Sequence, residues 1–457
     1  MGGAVATAIQ ASSDKRWRKE RSPAFCAQRR LFLRAVCVDL ALMALALPQR
    51  CMASAAGPDL NAGVLSHHEF LNRIWSLSAR ANCEQFVIDF KSLLQATAAD
   101  CVVDNATWVI PSQAYASFFF PRDSFWVLAA LNNRSLSQLA VELFEADQAK
   151  NPDGHIATAL YKDGSHPINR DRDEESTMMY VLHCYLLSRL GGSPNRHCLE
   201  RARDFIFAHV VDGRYVTTGE TRSGPAFGGR TQIGTYHYWA DTFRPAGKDE
   251  ATAEVIAYNQ GLLCISLKCL DEMGIPVRSH DYGQALSAYA NMVNWVDGVS
   301  LPQREGSTIV DVSSLVGDAL SLYFFDQPLL SNDCVQSTLN RLCQVRYADG
   351  NFLGFKVISD YYGGYRPACE FSGTPIDAPG NYHNGGSWLL YDALALYCGV
   401  RHQVSGTGEL FLRRLTSEVR LSWASHEFVR TDAEDAGGSD SGRDGYGWNA
   451  FVGNLLS

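Results

Sequence analysis

The chain has no basic stripe. Beyond the first fifty residues Lys and Arg nowhere cluster, and a formal charge of -9 is spread along 457 residues. A phosphate-backbone footprint is therefore missing, and nucleic acid is not an expected partner. There is no C-x-x-C pair and no His/Cys group at zinc spacing, which excludes the common structural-zinc frameworks. After the N-terminal region no apolar run is long enough to span a bilayer, so no stable membrane span is expected in the mature chain. Strand signals are scarce as well.

What is present is core material. Apolar residues make up 46% of the chain, and Trp, Tyr and Phe together 11%, enough for two or three ordinary domains or one large toroidal or barrel domain. The first sixty residues differ from the rest. Arg16, Arg18, Arg21, Arg29, Arg30 and Arg34 precede the apolar run LALMALALP and the small residues MASAAG. That order reads as a targeting segment over 1–60, a signal or transit peptide with Ala53-Ser54-Ala55 as an A-x-A cleavage site. Residues 61–457 remain for the folded domain. The expected location is secreted or an endomembrane or organelle lumen. Asn105-Ala106-Thr107 and Asn133-Arg134-Ser135 are glycosylation sequons that agree with it. Of thirteen cysteines, ten follow Ala56; Cys83 and Cys101 are candidates for a bridge, and buried free thiols account for most of the others.

Apolar residues recur at the 3.6-residue helical period from one end of the mature chain to the other. The expected pairs are 66–79 with 84–97, 123–132 with 135–148, 173–191 with 196–210, 251–273 with 279–296, 309–325 with 331–345, and 386–400 with 406–424, and a last helix over 447–456 closes the set. Connections within pairs are short and punctuated, as in Leu190-Gly191-Gly192-Ser193-Pro194 and Glu272-Met273-Gly274-Ile275-Pro276, where Gly stops one helix and Pro precedes the next. Connections between pairs are long and aromatic, the longest running from Val211 to Lys248. A plain face and a working face follow. Six pairs closing on themselves make an all-α (α/α)6 toroid; a solenoid is the other reading, but it requires a repeat at fixed period, and the sequence has none.

Four stretches carry candidate chemistry. SFFFPRDSFW places Arg122 and Asp123 between aromatic runs; Asp123 reads either as a helix cap or as half of a hydroxyl-binding pair. In TYHYWADTFRPAGKDEATAEVIAYNQGLL, Glu254 stands in the first turns of an apolar helix behind a loop with Trp239 and Asp241. A carboxyl beside aromatic surface loses hydration and its acid form is favoured, whereas a first-turn glutamate also serves the helix dipole. In APGNYHNGGSWLLYDALALY, His383 and Trp388 flank Gly385 and Gly386, either as a pocket wall or as an interhelix turn with a satisfied histidine. In the C-terminal stretch Glu427 precedes a Gly/Asp/Ser-rich loop, and Trp448 opens the final helix. Asp173, Glu174 and Glu175 sit at a helix start, where acidic residues commonly serve the dipole, although one of the three has room to line the site.

PRDSFWVLAAL resembles the R-D-S/T segment of glucoamylases and of the glucosidase domain of glycogen-debranching enzymes. AEVIAYNQGLL resembles the debranching-type segment in which a Glu opens a helix with a Tyr-Asn pair, GNYHNGGSW their Y-H-Q-G-x-x-W, and GYGWNAFVGNLL the Trp-containing closing helix of six-hairpin glycosidases. The four motifs stand in the same order over most of the chain after about residue 105. The resemblance implies an (α/α)6 glycosidase acting with inversion on a carbohydrate, without metal or organic cofactor. It implies Glu254 as general acid and Glu427 as general base, with Arg122 and Asp123 holding sugar hydroxyls. His383 and Trp388 would line the pocket, and Trp126, Trp239, Asp241 and Trp448 complete the expected substrate contacts. Asn384 stands where the debranching enzymes have Gln, so glucose specificity does not follow. Two rivals remain: a lyase or epimerase on the same scaffold, using Tyr236, His237, Tyr238 or His383, and a non-catalytic glycan-binding protein.

Overall fold

The turns expected inside helix pairs form where glycine permits them. Gly191 and Gly274 adopt φ of +78° and +72°. The N–H groups of Gly192 and Ile275 reach back to Leu187 O and Leu270 O at 2.9 Å each, which satisfies carbonyls that a helix end leaves open. In the computed structural model of the protein the described residues are 64–457, apart from 105–107, 113–114, 168–173, 219, 223–231, 236–238, 241, 244–252, 294, 297–298, 301–308, 347–351, 372–376, 422–424 and 432–444.

Thirteen α-helices occur among the described residues. They are α1 (His67–Arg80), α2 (Glu84–Asp100), α3 (Pro121–Leu131), α4 (Arg134–Gln148), α5 (Glu174–Arg189), α6 (Arg196–Ala208), α7 (Ala257–Glu272), α8 (Ser279–Met292), α9 (Val316–Phe325), α10 (Asn332–Arg341), α11 (Leu389–Arg401), α12 (Thr407–Leu421) and α13 (Phe451–Leu455). Helices α3, α5, α7, α9, α11 and α13 pack each on the next and α13 returns to α3, so six helices close an inner ring. Every residue of α11 is buried, as expected of a helix with neighbours on all sides. Gly261 and Gly317 let α7 and α9 approach closely: a Cβ on Gly317 would lie 2.4 Å from the Gly261 Cα. Helices α6, α8 and α12 back the ring helix before them, whereas α4 and α10 lie on the ring helix that follows, α5 and α11. The architecture is the (α/α)6 toroid.

The sixth pair departs from expectation. Helix α2 touches α1 but packs more extensively on α13, so the hairpin that completes the ring is assembled from two distant parts of the chain. The reason is burial capacity. Helix α1 buries only Phe70, Ile74 and Ser78, a narrow stripe that suffices for lying on α11 and α12 but not for a ring position. Helix α13 buries Phe451, Val452 and Leu455 within five residues. Lys91 Nζ donates to Leu456 O at 3.0 Å across this junction.

Short antiparallel ribbons occupy the loops. One pairs Arg214–Thr218 with Ala253–Val255, placing Thr217 opposite Glu254. The helix expected from 251 thus begins at Ala257, and Glu254 lies on a strand before it. Ile256 caps the helix in extended conformation, φ -114° and ψ 128°; the β-branched pair Val255-Ile256 favours the ribbon over another helical turn. The bridge between Cys83 and Cys101 does not form, and both thiols are free. They flank the seventeen residues of α2, and a helix of that length separates its ends by about 25 Å. Among the described residues no helix is long and apolar enough to cross a membrane.

Candidate active site

The N-terminal ends of the ring helices converge. Helix α3 is entered through Phe120 in extended conformation, with Pro121 at the first helical position, where a missing N–H costs nothing. Asp123 is therefore the third helical residue, and the cap reading fails. Its carboxylate is buried, accepts from Tyr446 Oη at 3.4 Å and lies 3.9 Å from Arg122 Nη2. Phe119 is buried against Trp108 and Phe144, which fixes the approach to this first turn.

Arg122 reaches sideways to α5. Its Nη1 lies 3.5 Å from Glu175 Oε2, and Glu175 Oε1 accepts from Tyr258 Oη, at the start of α7, at 2.7 Å. The guanidinium also sits over the Trp448 ring, 5.5 Å from its centroid. Burial opposes its charge, but Glu175 and Asp123 more than offset this and hold its pKa well above the usual value. Burial likewise pushes the Tyr258, Tyr391 and Tyr446 phenols well above their usual range, so all three remain donors.

An aromatic wall faces the charged pair. Trp239 lies against Tyr391 at 4.2 Å and Trp388 at 5.4 Å. His383 stacks on Trp388 at 5.5 Å and 18°, and Trp388 on Phe428 at 5.6 Å and 26°. Trp448 meets Trp388 edge-on at 5.5 Å. Burial and, after it, the Arg122 charge hold the His383 pKa well below 6.5, so its ring is neutral. Two hydroxyl relays fix the wall from behind. Trp239 Nε1 donates to Ser313 Oγ at 2.7 Å, which donates to Asp311 Oδ1 at 2.6 Å. Thr242 Oγ1 lies 3.0 Å from Asp377 Oδ1 and 2.6 Å from His383 Nδ1.

Glu427 is buried, and Tyr115 Oη donates to its Oε1 at 3.0 Å. The segment that carries it is anchored on both sides. Ser387 and Val429 exchange backbone hydrogen bonds of 2.9 and 2.8 Å, and the His426 N–H donates to Glu418 Oε1 at 3.0 Å. Glu418 belongs to a buried ionic group in which Arg414 bonds it at 2.8 Å and Asp392 at 2.6 Å. Burial would raise the Glu418 carboxyl, but Arg414 and His426 override it and hold it down to about 2.

The sequence-based candidates Arg122, Asp123, Trp239, His383, Trp388 and Trp448 thus meet in one place, and Glu427 reaches it through Tyr446, which feels both the Asp123 and Glu427 charges. Trp126 is fully buried with Phe125 and Phe451 as ring partners, and it serves the wall behind this group. Asp241, Asp173, Tyr236, His237, Tyr238 and the side chain of Glu254 lie outside the described residues. Glu175, Tyr258, Tyr391, Tyr446 and Tyr115 belong to the group without having been singled out individually. The signal for Glu175 was its place in the first turn of a ring helix, and for Tyr258 and Tyr391 the first turns of the next ones. Three polar atoms here are buried and have no hydrogen-bond partner among the described residues: Arg122 Nε, Tyr391 Oη and Trp448 Nε1. Buried donors are seldom left open, and three around one aromatic chamber suit a ligand rich in hydroxyl oxygens.

No protein-family model matches the chain, and no curated protein matches it in sequence. Solved structures do. A structure described as a wild-type glycosidase shares 12% identity at a TM-score of 0.52, over 82% of this chain and 97% of the other. A GH63 mannosylglycerate hydrolase from Thermus thermophilus, in complex with glucose, shares 9% identity at a TM-score of 0.47, over 79% of this chain and 99% of that one. At such identities the likeness is one of fold, and the chain is built on the same (α/α)6 toroid as the six-hairpin glycosidases.

Proposed function

We propose that this chain is a glycoside hydrolase that cleaves an oligosaccharide, polysaccharide or glycoside with inversion at the anomeric carbon. One observation carries the reading: the chamber at the ring-helix N-termini sets aromatic faces beside buried carboxylates and three open donors, on the scaffold of a glycosidase. Aromatic faces pack on the C–H faces of a sugar ring, while Arg122 and Asp123 offer adjacent donors and acceptors to vicinal hydroxyls.

In this reading Glu254 protonates the leaving glycosidic oxygen. Glu427, oriented through the Tyr115 hydroxyl, draws a proton from the water that attacks the opposite face of the ring. Inversion requires the two carboxyls to stand roughly 6.5–9.5 Å apart so that the water fits between them. Glu254 enters directly ahead of α7, whose Tyr258 is already in the chamber. Residues 1–60 act as a targeting segment to the secretory route or an organelle lumen, which N-terminal sequencing of the mature protein checks.

The test is a screen over glycans and aryl glycosides, with the anomer of the first product read by NMR. Release of the inverted anomer, abolished by Glu427→Gln and by Glu254→Gln, is the expected result. A product that keeps the substrate's anomeric configuration removes the inverting assignment. Turnover that survives Glu254→Gln moves the chemistry to tyrosine or histidine, as a lyase or epimerase requires.

A further inference from the structure

We infer that His383 is held as the Nδ1–H tautomer by Thr242 and Asp377, so that its bare Nε2 is the acceptor for one particular substrate hydroxyl. Thr242 and Asp377 are positioning residues that act through the ring.

Counting protons fixes the direction of the relay. Thr242 Oγ1 carries one, and two acceptor candidates lie within reach, Asp377 Oδ1 at 3.0 Å and His383 Nδ1 at 2.6 Å. Thr242 Oγ1 is the donor toward Asp377 Oδ1, as it must be toward a carboxylate, which can only accept. The short contact to the ring then requires a proton from Nδ1. Reversing Thr242 would set a hydroxyl lone pair against a buried carboxylate oxygen, an arrangement of two acceptors. The other relay in the chamber runs the same way without ambiguity. An indole N–H can only donate, so Trp239, Ser313 and Asp311 must be ordered ring N–H, hydroxyl, carboxylate. His383, Thr242 and Asp377 repeat that order on the neighbouring ring, 5.1 Å away.

With Nδ1 protonated and the ring neutral, Nε2 holds a lone pair, and the tautomer is set by the bond the other nitrogen makes. Nε2 takes no partner among the described residues, while Trp388 stacks on the ring at 5.5 Å and Tyr382 lies tilted against it at 4.0 Å. The loop that presents it is stiff: Asn384 Nδ2 donates to Asp377 O and Arg366 O at 3.1 Å each. Arg122, Tyr391 and Trp448 offer hydrogen-bond donors in this chamber, so an acceptor beside them discriminates. A substrate hydroxyl satisfies Nε2, and a hydrogen or an ether oxygen at that position does not.

The hydroxyl half of the inference rests on the glycoside hydrolase reading; the tautomer half does not, and the experiment separates them. Long-range 15N–1H spectra of histidine-labelled protein, with His383 assigned by its loss in His383→Gln, are expected to show the Nδ1–H form. Asp377→Asn lets the amide donate to Thr242, which then donates to Nδ1, and the ring is expected to switch to Nε2–H. Thr242→Ser is expected to keep the wild-type pattern. An Nε2–H signal in the wild-type protein, or no switch in a folded Asp377→Asn variant, overturns the relay. With the 4-nitrophenyl glycoside hydrolysed fastest in the screen, Asp377→Asn is expected to lower kcat/KM by about tenfold or more. For one of its monodeoxy derivatives the ratio of wild type to variant is expected to fall near one. Equal ratios for all deoxy derivatives would show that Nε2 meets no hydroxyl. If no glycoside is hydrolysed, the functional reading falls, and the relay is still decided by the spectra.

Discussion

Tyr115 and Glu427 stand at opposite ends of the domain's sequence, yet the tyrosine hydroxyl donates to the glutamate Oε1 at 3.0 Å. One carboxylate oxygen is thereby fixed in direction. In the proposed mechanism this carboxylate is the general base, which must be aimed as well as ionised, since its lone pair has to meet the proton of a water held against the sugar. Tyr115→Phe keeps the ring, which packs on Phe120 and Tyr446, and removes only the hydroxyl. The variant is expected to fold normally and to lose about tenfold or more in kcat with little change in KM, measured on the glycoside found in the screen.

Glu175 ties three ring helices together, through Arg122 on α3 and Tyr258 on α7. Glu175→Gln preserves shape and much of the hydrogen bonding but strips the charge that steadies the guanidinium. Removing one partner of a buried pair costs about 3 kcal/mol or more. The expected result is a lower midpoint in urea unfolding with turnover reduced by about two orders of magnitude. If stability falls and kcat does not, Glu175 is structural only.

His183 gives the fold an acid limit. It is fully buried, and burial lowers its pKa to about 4 against a small opposing effect of the hydrogen bond to Pro121 O. That bond is 2.8 Å long and lies under the first turn of α3. The folded protein favours the neutral ring, so this contribution is complete above about pH 6.5 and is lost as the pH falls toward 4. It amounts to ~3 kcal/mol. Thermal unfolding from pH 7 to 4.5 is expected to show Tm falling with pH, and the slope should flatten in His183→Gln. Glu418 adds a second loss at lower pH, as the pH falls from about 4.5 toward 2 and its carboxylate protonates.

The cysteines predict a chemical result. Cys369 is exposed, whereas Cys184, Cys264, Cys269 and Cys398 are buried, and burial raises their thiol pKa values. A disulfide-exchange reagent is expected to titrate Cys369 rapidly in the native protein and those four only on unfolding. Because Cys83 and Cys101 are thiols, a reductant is expected to leave Tm unchanged. A drop in Tm on reduction would contradict the described pairing state.

The helix pairs were legible because two independent signals agreed, a 3.6-residue apolar period and Gly or Pro punctuation at the turns. The ring positions within them were less so. Helices α1 and α2 are adjacent in sequence with a short turn, and nothing local says that α2 prefers a helix more than 300 residues away. Glu254 was assigned to a helix because the residues after it are helical; the strand that claims it, Arg214–Thr218, lies across a long insertion. Glu175 was one of three first-turn acids of which one was expected to line the site, and the helix dipole, which explains all three alike, could not single it out. Only its partners on α3 and α7 distinguish it, and partners across a ring leave no spacing to read. The relays through Ser313 and Thr242 were illegible for the same reason, since a serine or threonine carries no periodicity of its own.

The split hairpin of α2 and α13 sets the order of events at the ribosome. Ring helices α3 to α11 emerge in sequence and can dock side by side, but the gap between α11 and α3 stays open until residues 446–457 are in place. Trp448 and Tyr446 arrive with them. The emerging chain therefore presents a cleft lined by the apolar flanks of α3 and α11, a surface for chaperones to hold, and has no complete chamber. Ring closure and completion of the chamber become a single step, so a chain truncated before α13 is expected to lose both together.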